Sequence, residues 1–229
     1  MRLLVLDAAS LRDALPMPDA IQAMKDGFGA LAAGEVVAPQ RAAIGMEDRG
    51  ATTLLMGAEV PSMGLAAKVV SVFPGNAAEG RPVVTGLALV LDPATGEPAA
   101  LVEGAALTAW RTGAASGAAT DLLARDDART GALIGCGTQG ATQLRAIDAA
   151  RDLDEVRVFA RSPQGVRGVC DAEAPPVRAR VGTPATAREA VRGADVVCTA
   201  TSSHAPVVEG ADIEHGALVN GVGSFTLEM

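Results

Sequence analysis

The stretch Gly131-Ala132-Leu133-Ile134-Gly135-Cys136-Gly137-Thr138-Gln139-Gly140 decides the fold. Residues 131–135 are a short apolar run of strand type, and residues 138–151 read as a helix. The three glycines between strand and helix have the spacing G-x-G-x-x-G. A lone copy of that pattern is weak evidence, but a strand before it and a helix after it describe a phosphate-binding turn. Gly135 permits the tight turn, Gly137 lets backbone approach a pyrophosphate, and Gly140 lets helix pack closely on strand. The helix N-terminus then offers free N–H groups and a partial positive charge. The expected ligand is a dinucleotide; the competing reading is a plain glycine-rich turn of an α/β fold, which this context disfavours.

On the C-terminal side, residues 155–160 (EVRVFA) are the next strand, with further strands expected at 177–181, 195–199 and 217–220 and a short helix at 185–192. Strands alternating with helices predict an α/β fold with a doubly wound parallel sheet, the Rossmann arrangement. Five strands stand where the full fold has about six, so the chain is expected to be part of a longer protein. On the N-terminal side, residues 107–123 are Ala-rich and free of Pro, and read as one or two linking helices. From 36 to 103 short apolar runs alternate with turn signals. Residues 83–91 and 99–102, separated by Asp92-Pro93-Ala94-Thr95-Gly96, predict a hairpin. Apolar positions 21, 24, 28 and 31 predict a helix over 19–31. Residues 1–110 read as antiparallel α+β, and the expected domains are 1–113, for substrate and dimerisation, and 114–229, for the dinucleotide.

Composition narrows the partners. Hydrophobic residues are 49% and charged residues 20%, ordinary globular usage. Aromatics are 2%, with no Tyr, so base-stacking platforms are hard to build. The net charge of -8 repels phosphate backbones, so nucleic acid is disfavoured. Three widely spaced cysteines, 136, 170 and 198, fit neither a zinc pattern nor a disulfide framework and suit a cytoplasmic protein. No metal site is expected. Asp7 interrupts the N-terminal apolar run, against a signal peptide. No apolar run reaches the roughly 18 residues of a membrane span, so no membrane association is expected.

Several side chains carry chemistry. An acid is expected about 20 residues after the glycine turn to accept from the ribose 2′-hydroxyl; Ala160 stands there instead, followed by Arg161 and Ser162. Arg with a neighbouring hydroxyl suits a 2′-phosphate, so NADPH is preferred, with NADH possible. Only two of the 19 basic residues are lysines. Lys68 lies in Leu65-Ala66-Ala67-Lys68-Val69-Val70-Ser71-Val72, which reads as a buried strand. It is either a cleft-facing lysine acting on substrate or an edge-strand lysine pointing at water. Arg111, among small and apolar neighbours, needs an anionic partner, which could be structural or a substrate. His204 and His215 read as loop residues, and Cys136 as a small turn residue rather than a nucleophile.

Taken in order, Pro39-Gln40-Arg41, Leu55-Met56, Lys68-Val69-Val70, Thr85-Gly86, Arg111-Thr112-Gly113-Ala114, Gly135-Cys136-Gly137-Thr138-Gln139 and Asn220-Gly221-Val222-Gly223-Ser224 resemble the ornithine cyclodeaminase/mu-crystallin family over nearly the whole chain. The resemblance implies a homodimer with an N-terminal substrate and dimerisation domain and a Rossmann domain. It implies that Arg41, Lys68 and Arg111 hold a substrate carboxylate, with Lys68 catalytic. It implies that Thr85, Arg111, Thr112, Gly135, Gly137, Thr138, Gln139, Arg161, Ser162, Thr199, Ala200, Thr201 and Val222 contact cofactor. The chain departs from the cyclodeaminase pattern twice. Phe225 stands where an Asp is expected, and Leu54 where an acid precedes the Leu-Met pair. Without those carboxylates, ammonia-releasing cyclisation lacks its base. The expected activity is NAD(P)H-dependent reduction of a small 2-imino acid, either a cyclic ketimine such as Δ1-pyrroline-2-carboxylate or in the manner of an alanine dehydrogenase. The alternatives are ornithine cyclodeaminase, yielding proline and ammonia, and a non-catalytic NADPH-binding crystallin-like protein.

Overall fold

The computed structural model describes residues 2–61, 63–170 and 176–223, apart from the side chains of residues 163 and 170. The chain divides into two compact units, Met1–Pro16 with Lys25–Thr108, and Met17–Met24 with Ala109–Met229. Phe225 lies outside the described residues.

The chain opens with β1 (Leu4–Leu6), α1 (Ala8–Ala14), α2 (Met17–Ala32), β2 (Ala42–Met46), β3 (Ala51–Val60), β4 (Gly64–Val72), β5 (Val84–Leu91), β6 (Pro98–Glu103) and α3 (Gly104–Leu123). The strands form one sheet in the order β1-β6-β5-β4-β3-β2. The expected hairpin is β5–β6. Asp92 Oδ1 accepts from the N–H groups of Ala94 and Thr95, and Gly96 takes a φ of 73° to close the turn. The fully antiparallel expectation is corrected at one edge, where β1 pairs parallel with β6. Three residues are too few to show a period, and β2, Ala-Ala-Ile-Gly-Met, is too poor in β-formers to announce itself. Asp7, read from sequence only as an interruption, caps α1 by accepting from Ser10 N–H at 2.8 Å. Residues 107–123 belong to one helix, not two. It starts at Gly104, where Glu103 Oε1 and Oε2 accept from the N–H groups of Ala105 and Ala106 at 2.9 and 2.6 Å. On one face of the sheet Ala88 and Val102 pack with Leu11 of α1 and with Ala106 and Leu107 of α3.

The second unit runs β7 (Thr130–Ile134), α4 (Thr138–Ala150), β8 (Glu155–Phe159), α5 (Pro163–Cys170), β9 (Arg180–Gly182), α6 (Ala187–Val191), β10 (Val196–Thr199) and β11 (Leu218–Gly221). Every pairing is parallel, in the order β11-β10-β7-β8-β9. Side chains alternate between two cores. Leu133, Val156, Val158, Val196 and Cys198 meet Leu144 and Ile147 of α4, while Ala132, Ile134 and Val197 meet Ala190 and Val191 of α6. Helices thus cover both faces, as doubly wound sheets require. The expected strand at 177–181 is displaced to 180–182 for a physical reason. The buried Asp148 carboxylate accepts from the N–H groups of Arg178 and Ala179 at 3.0 and 2.9 Å, drawing that backbone to α4 and out of the ladder. Among the described residues no helix is long and apolar enough to cross a membrane.

Candidate active site

The turn after β7 gives each glycine its own reason. Gly135 has a φ of 107°, and a Cβ there would collide with the Ala200 carbonyl. A Cβ at Gly140 would collide with the carbonyl of Gly135, so α4 packs against the turn at backbone contact. Gly137 differs: its φ is -82°, and among the described residues a Cβ would meet no atom within 4 Å. The space in front of Gly137 is therefore open. Gly137 is also the N-cap of α4 and makes no side-chain capping bond, so the first N–H groups of the helix, those of Thr138 and Gln139 among them, are available to an anion. An open cradle at an uncapped helix N-terminus fits a pyrophosphate.

The surroundings fit the rest of a dinucleotide. The strand order reverses between β7 and β10, and ligands of open α/β sheets bind at the carboxyl ends of the strands at such a point. Gly135 after β7 and Ala200-Thr201 after β10 meet there. The Thr199 carbonyl accepts from Val222 N–H at 2.9 Å and Gly223 N–H at 3.3 Å, and a Cβ at Gly223 would collide with the Thr201 carbonyl. The structure thus brings Gly135, Thr199, Ala200, Thr201 and Val222 to one edge. Arg161 and Ser162, both exposed, follow β8. Ser162 Oγ accepts from Gly165 N–H at 3.2 Å in the first turn of α5, and Gly165 lies against Cys136 of the glycine turn. The end of β8 is therefore a neighbour of the glycine turn. Asn220, buried on β11, donates to Thr120 Oγ1 at 3.1 Å and to Cys198 Sγ at 3.5 Å. Burial pushes the Cys198 thiol up to about 12, so that thiol is inert.

In the first unit, β4 is a central strand, so the edge-strand alternative for Lys68 is corrected. Lys68 pairs in register with Met56 and Ala88 and is half-buried on the covered face of the sheet. Its Nζ donates to Thr108 Oγ1 of α3 at 3.3 Å. Leu54 is opposite Val70, two positions along, and shares that face. A carboxylate at position 54 would point to the lysine's side of the sheet; leucine removes it. Thr85 is opposite Ser71, so its side chain is on the other face from Lys68, in a row with the hydrogen-bonded pair Ser71 and Thr53. Arg41 is exposed, immediately before β2.

Arg111 and Thr112 are in α3. The Arg111 side chain is exposed, yet the protein around it desolvates the guanidinium and holds its pKa below the ordinary arginine value; it is still a cation at neutral pH. Inspection of the sequence missed three residues here. Glu103 was not legible as a helix cap, because Glu is not among the residues usually found there. Thr108 was not legible either, because its partnership with Lys68 spans 40 positions. Gln143, four residues after Gln139, is fully buried and donates to the Thr112 carbonyl at 3.3 Å. His204 and His215 are exposed, and among the described residues no three His, Cys, Asp or Glu gather as a metal would require.

Known proteins resemble this chain along its length. The ornithine cyclodeaminase/mu-crystallin family matches residues 2–227. A Δ1-pyrroline-2-carboxylate reductase of Bacillus cereus is 33% identical over 232 residues, covering 99% of this chain and 70% of the relative. The structure of Thermococcus litoralis Δ1-pyrroline-2-carboxylate reductase in complex with NADH and L-proline superposes with a TM-score of 0.85 at 35% identity, over 94% of this chain and 67% of the other. An archaeal alanine dehydrogenase dimer with bound NAD gives a TM-score of 0.84 at 30% identity, over 97% and 68%.

Proposed function

The chain belongs to the ornithine cyclodeaminase/mu-crystallin family, and we propose that it is an NAD(P)H-dependent reductase of a small 2-imino acid, with Δ1-pyrroline-2-carboxylate or its six-membered homologue as substrate. What carries this reading is the extent of the likeness to the Δ1-pyrroline-2-carboxylate reductases. It covers both compact units, and so takes in the glycine turn together with Arg41, Lys68 and Arg111. The absence of a carboxylate at position 54, on the face of Lys68, favours reduction over cyclodeamination.

In this reading Arg41 and Arg111 hold the substrate carboxylate and so fix the imine carbon in one orientation. When bound, the reduced nicotinamide supplies the hydride that the C=N carbon takes up. Lys68 holds a proton at Nζ for the imine nitrogen, and its charge favours the anionic substrate. The open cradle at Gly137 and the N-terminus of α4 hold the pyrophosphate. Arg161 and Ser162 favour the 2′-phosphate of NADPH, because no acid stands at the end of β8 to favour the free hydroxyl.

The test is cofactor oxidation by the protein in the presence of Δ1-pyrroline-2-carboxylate, its six-membered homologue, or pyruvate with ammonia. Turnover is expected with a cyclic imine and NADPH, and Arg161→Ala is expected to raise the KM for NADPH about tenfold while leaving NADH nearly unaffected, as loss of a charge-assisted pair would. Ammonia release from ornithine with catalytic NAD would point to the cyclodeaminase instead, and cofactor binding without any turnover to the crystallin-like alternative.

The reading includes a homodimer, as in the archaeal alanine dehydrogenase relative. Its surface is the open face of the six-stranded sheet. There Ile44, Leu55, Val69, Leu87 and Val5 form an apolar patch, Val69 and Leu87 being 46% and 50% exposed in adjacent register positions. A patch of this kind on one sheet face marks an interaction surface. Val69→Asp combined with Leu87→Asp is expected to convert a dimer to monomers in light scattering; an unchanged mass would remove this face from the interface.

A further inference from the structure

Gln143 is a fully buried polar side chain in the middle of α4. Its Nε2 donates to the Thr112 carbonyl, while its Oε1 is buried with no hydrogen-bond partner among the described residues. For stability alone this is a poor choice. An apolar side chain of the same length would fill the space without stranding an acceptor, and buried polar groups are costly when partly satisfied. Local violations of that kind gather at functional sites.

The helices around it are at their closest approach. A Cβ at Gly113 would meet the Thr142 backbone carbonyl at 2.7 Å and its Cβ at 2.9 Å, and a Cβ at Gly117, one turn on, would be 3.3 Å from the Ala146 carbonyl. The backbones of α3 and α4 thus touch along Gly113–Gly117 and Thr142–Ala146. Glycines permit the contact but do not set the register along it; a directional hydrogen bond does. The Thr112 carbonyl has a second lone pair beyond its helical bond, and Gln143 takes it one residue from Arg111. A side-chain tie from α4 to this turn of α3 therefore ends on the peptide that follows Arg111.

We infer that Gln143 is a positioning residue that locks α3 against the cofactor helix and so fixes the direction of the Arg111 guanidinium. This rests on the proposed role of Arg111 in holding the substrate carboxylate. Cofactor affinity and substrate orientation are then governed from one helix, by its N-terminus and its sixth residue respectively.

The experiment is a double-mutant cycle with Gln143→Met and Arg111→Ala, read as KM for the imino acid, kcat, and NADPH affinity. Gln143→Met is expected to raise the imino-acid KM about tenfold or more, since misplacing an orienting group by a fraction of an ångström costs that much, with NADPH affinity and the unfolding midpoint nearly unchanged. In the Arg111→Ala background the same change is expected to add little, the signature of two residues acting as one. Gln143→Glu adds a second readout. A buried carboxyl tends to remain protonated, and as a neutral acid it can donate to the Thr112 carbonyl. Its imino-acid KM should therefore be near normal at acidic pH and rise as the carboxyl ionises, a pH dependence absent from the wild type. If Arg111→Ala raises KM but Gln143→Met does not, or if their effects simply add, the positioning role is overturned and the Arg111 reading stands. If Arg111→Ala leaves KM untouched, the Arg111 reading fails, and the role assigned to Gln143 falls with it.

Discussion

Lys68→Met is expected to lower kcat/KM for the imino acid by two to four orders of magnitude, the range for losing a general acid or an electrostatic stabiliser, while NADPH binds as before. The change keeps the length of the side chain and its packing beside Met56 and Ala88, and deletes only the ammonium. Lys68 is in the first unit, whereas the glycine turn is in the second, so cofactor affinity measured by fluorescence is the internal control. The hydrogen bond to Thr108 sharpens the test. Thr108→Val removes that partner but leaves the ammonium, and is expected to cost far less than the loss of charge. A Lys68→Met enzyme with near-normal kcat/KM would eliminate the proton-holding role; one that also loses NADPH would show the damage to be general.

The second large effect comes from the glycine turn, where two identical changes should both weaken cofactor binding but only one should cost stability. Gly135→Ala puts a side chain at a φ of 107° and against the Ala200 carbonyl. The backbone strain alone is on the order of 1–3 kcal/mol, and relief of the collision must part β7 from β10. The expected result is a clear fall in the unfolding midpoint together with loss of cofactor binding. Gly137→Ala meets no atom among the described residues and has an ordinary φ. Its midpoint should match the wild type, whereas its NADPH affinity should fall tenfold or more, because the methyl occupies the space through which a pyrophosphate approaches backbone. Thermal unfolding and cofactor titration on the two proteins decide the matter; unchanged affinity in Gly137→Ala would show that the cradle is not the phosphate site.

The sequence was most legible where function depends on local geometry. The glycine spacing, the apolar strand before it and the helix after it all lie within residues 130–150, and Gly135 at its tight turn and Gly140 at its close helix packing take the parts their positions predicted. The β5–β6 hairpin was legible for the same reason, since Asp92 and Gly96 carry the turn in their own side chain and backbone. Legibility failed where a residue's state depends on a distant partner. β1 is a strand because β6 accepts it, and residues 178–179 leave the ladder because Asp148 binds their N–H groups.

The site divides along the same line. Sequence alone determined that the chain carries a G-x-G-x-x-G turn between a strand and a helix, that no acid ends the second strand of the parallel sheet, and which cations are candidates to hold an anionic substrate. These are properties of residue type and spacing. Only the tertiary structure decided that Lys68 is on a central strand and on the same face as Leu54, that Thr85 is on the opposite face, and that Gln143 holds the peptide beside Arg111. Strand register and helix packing make those decisions, because they join groups 12 to 40 residues apart and no local pattern encodes the pairing.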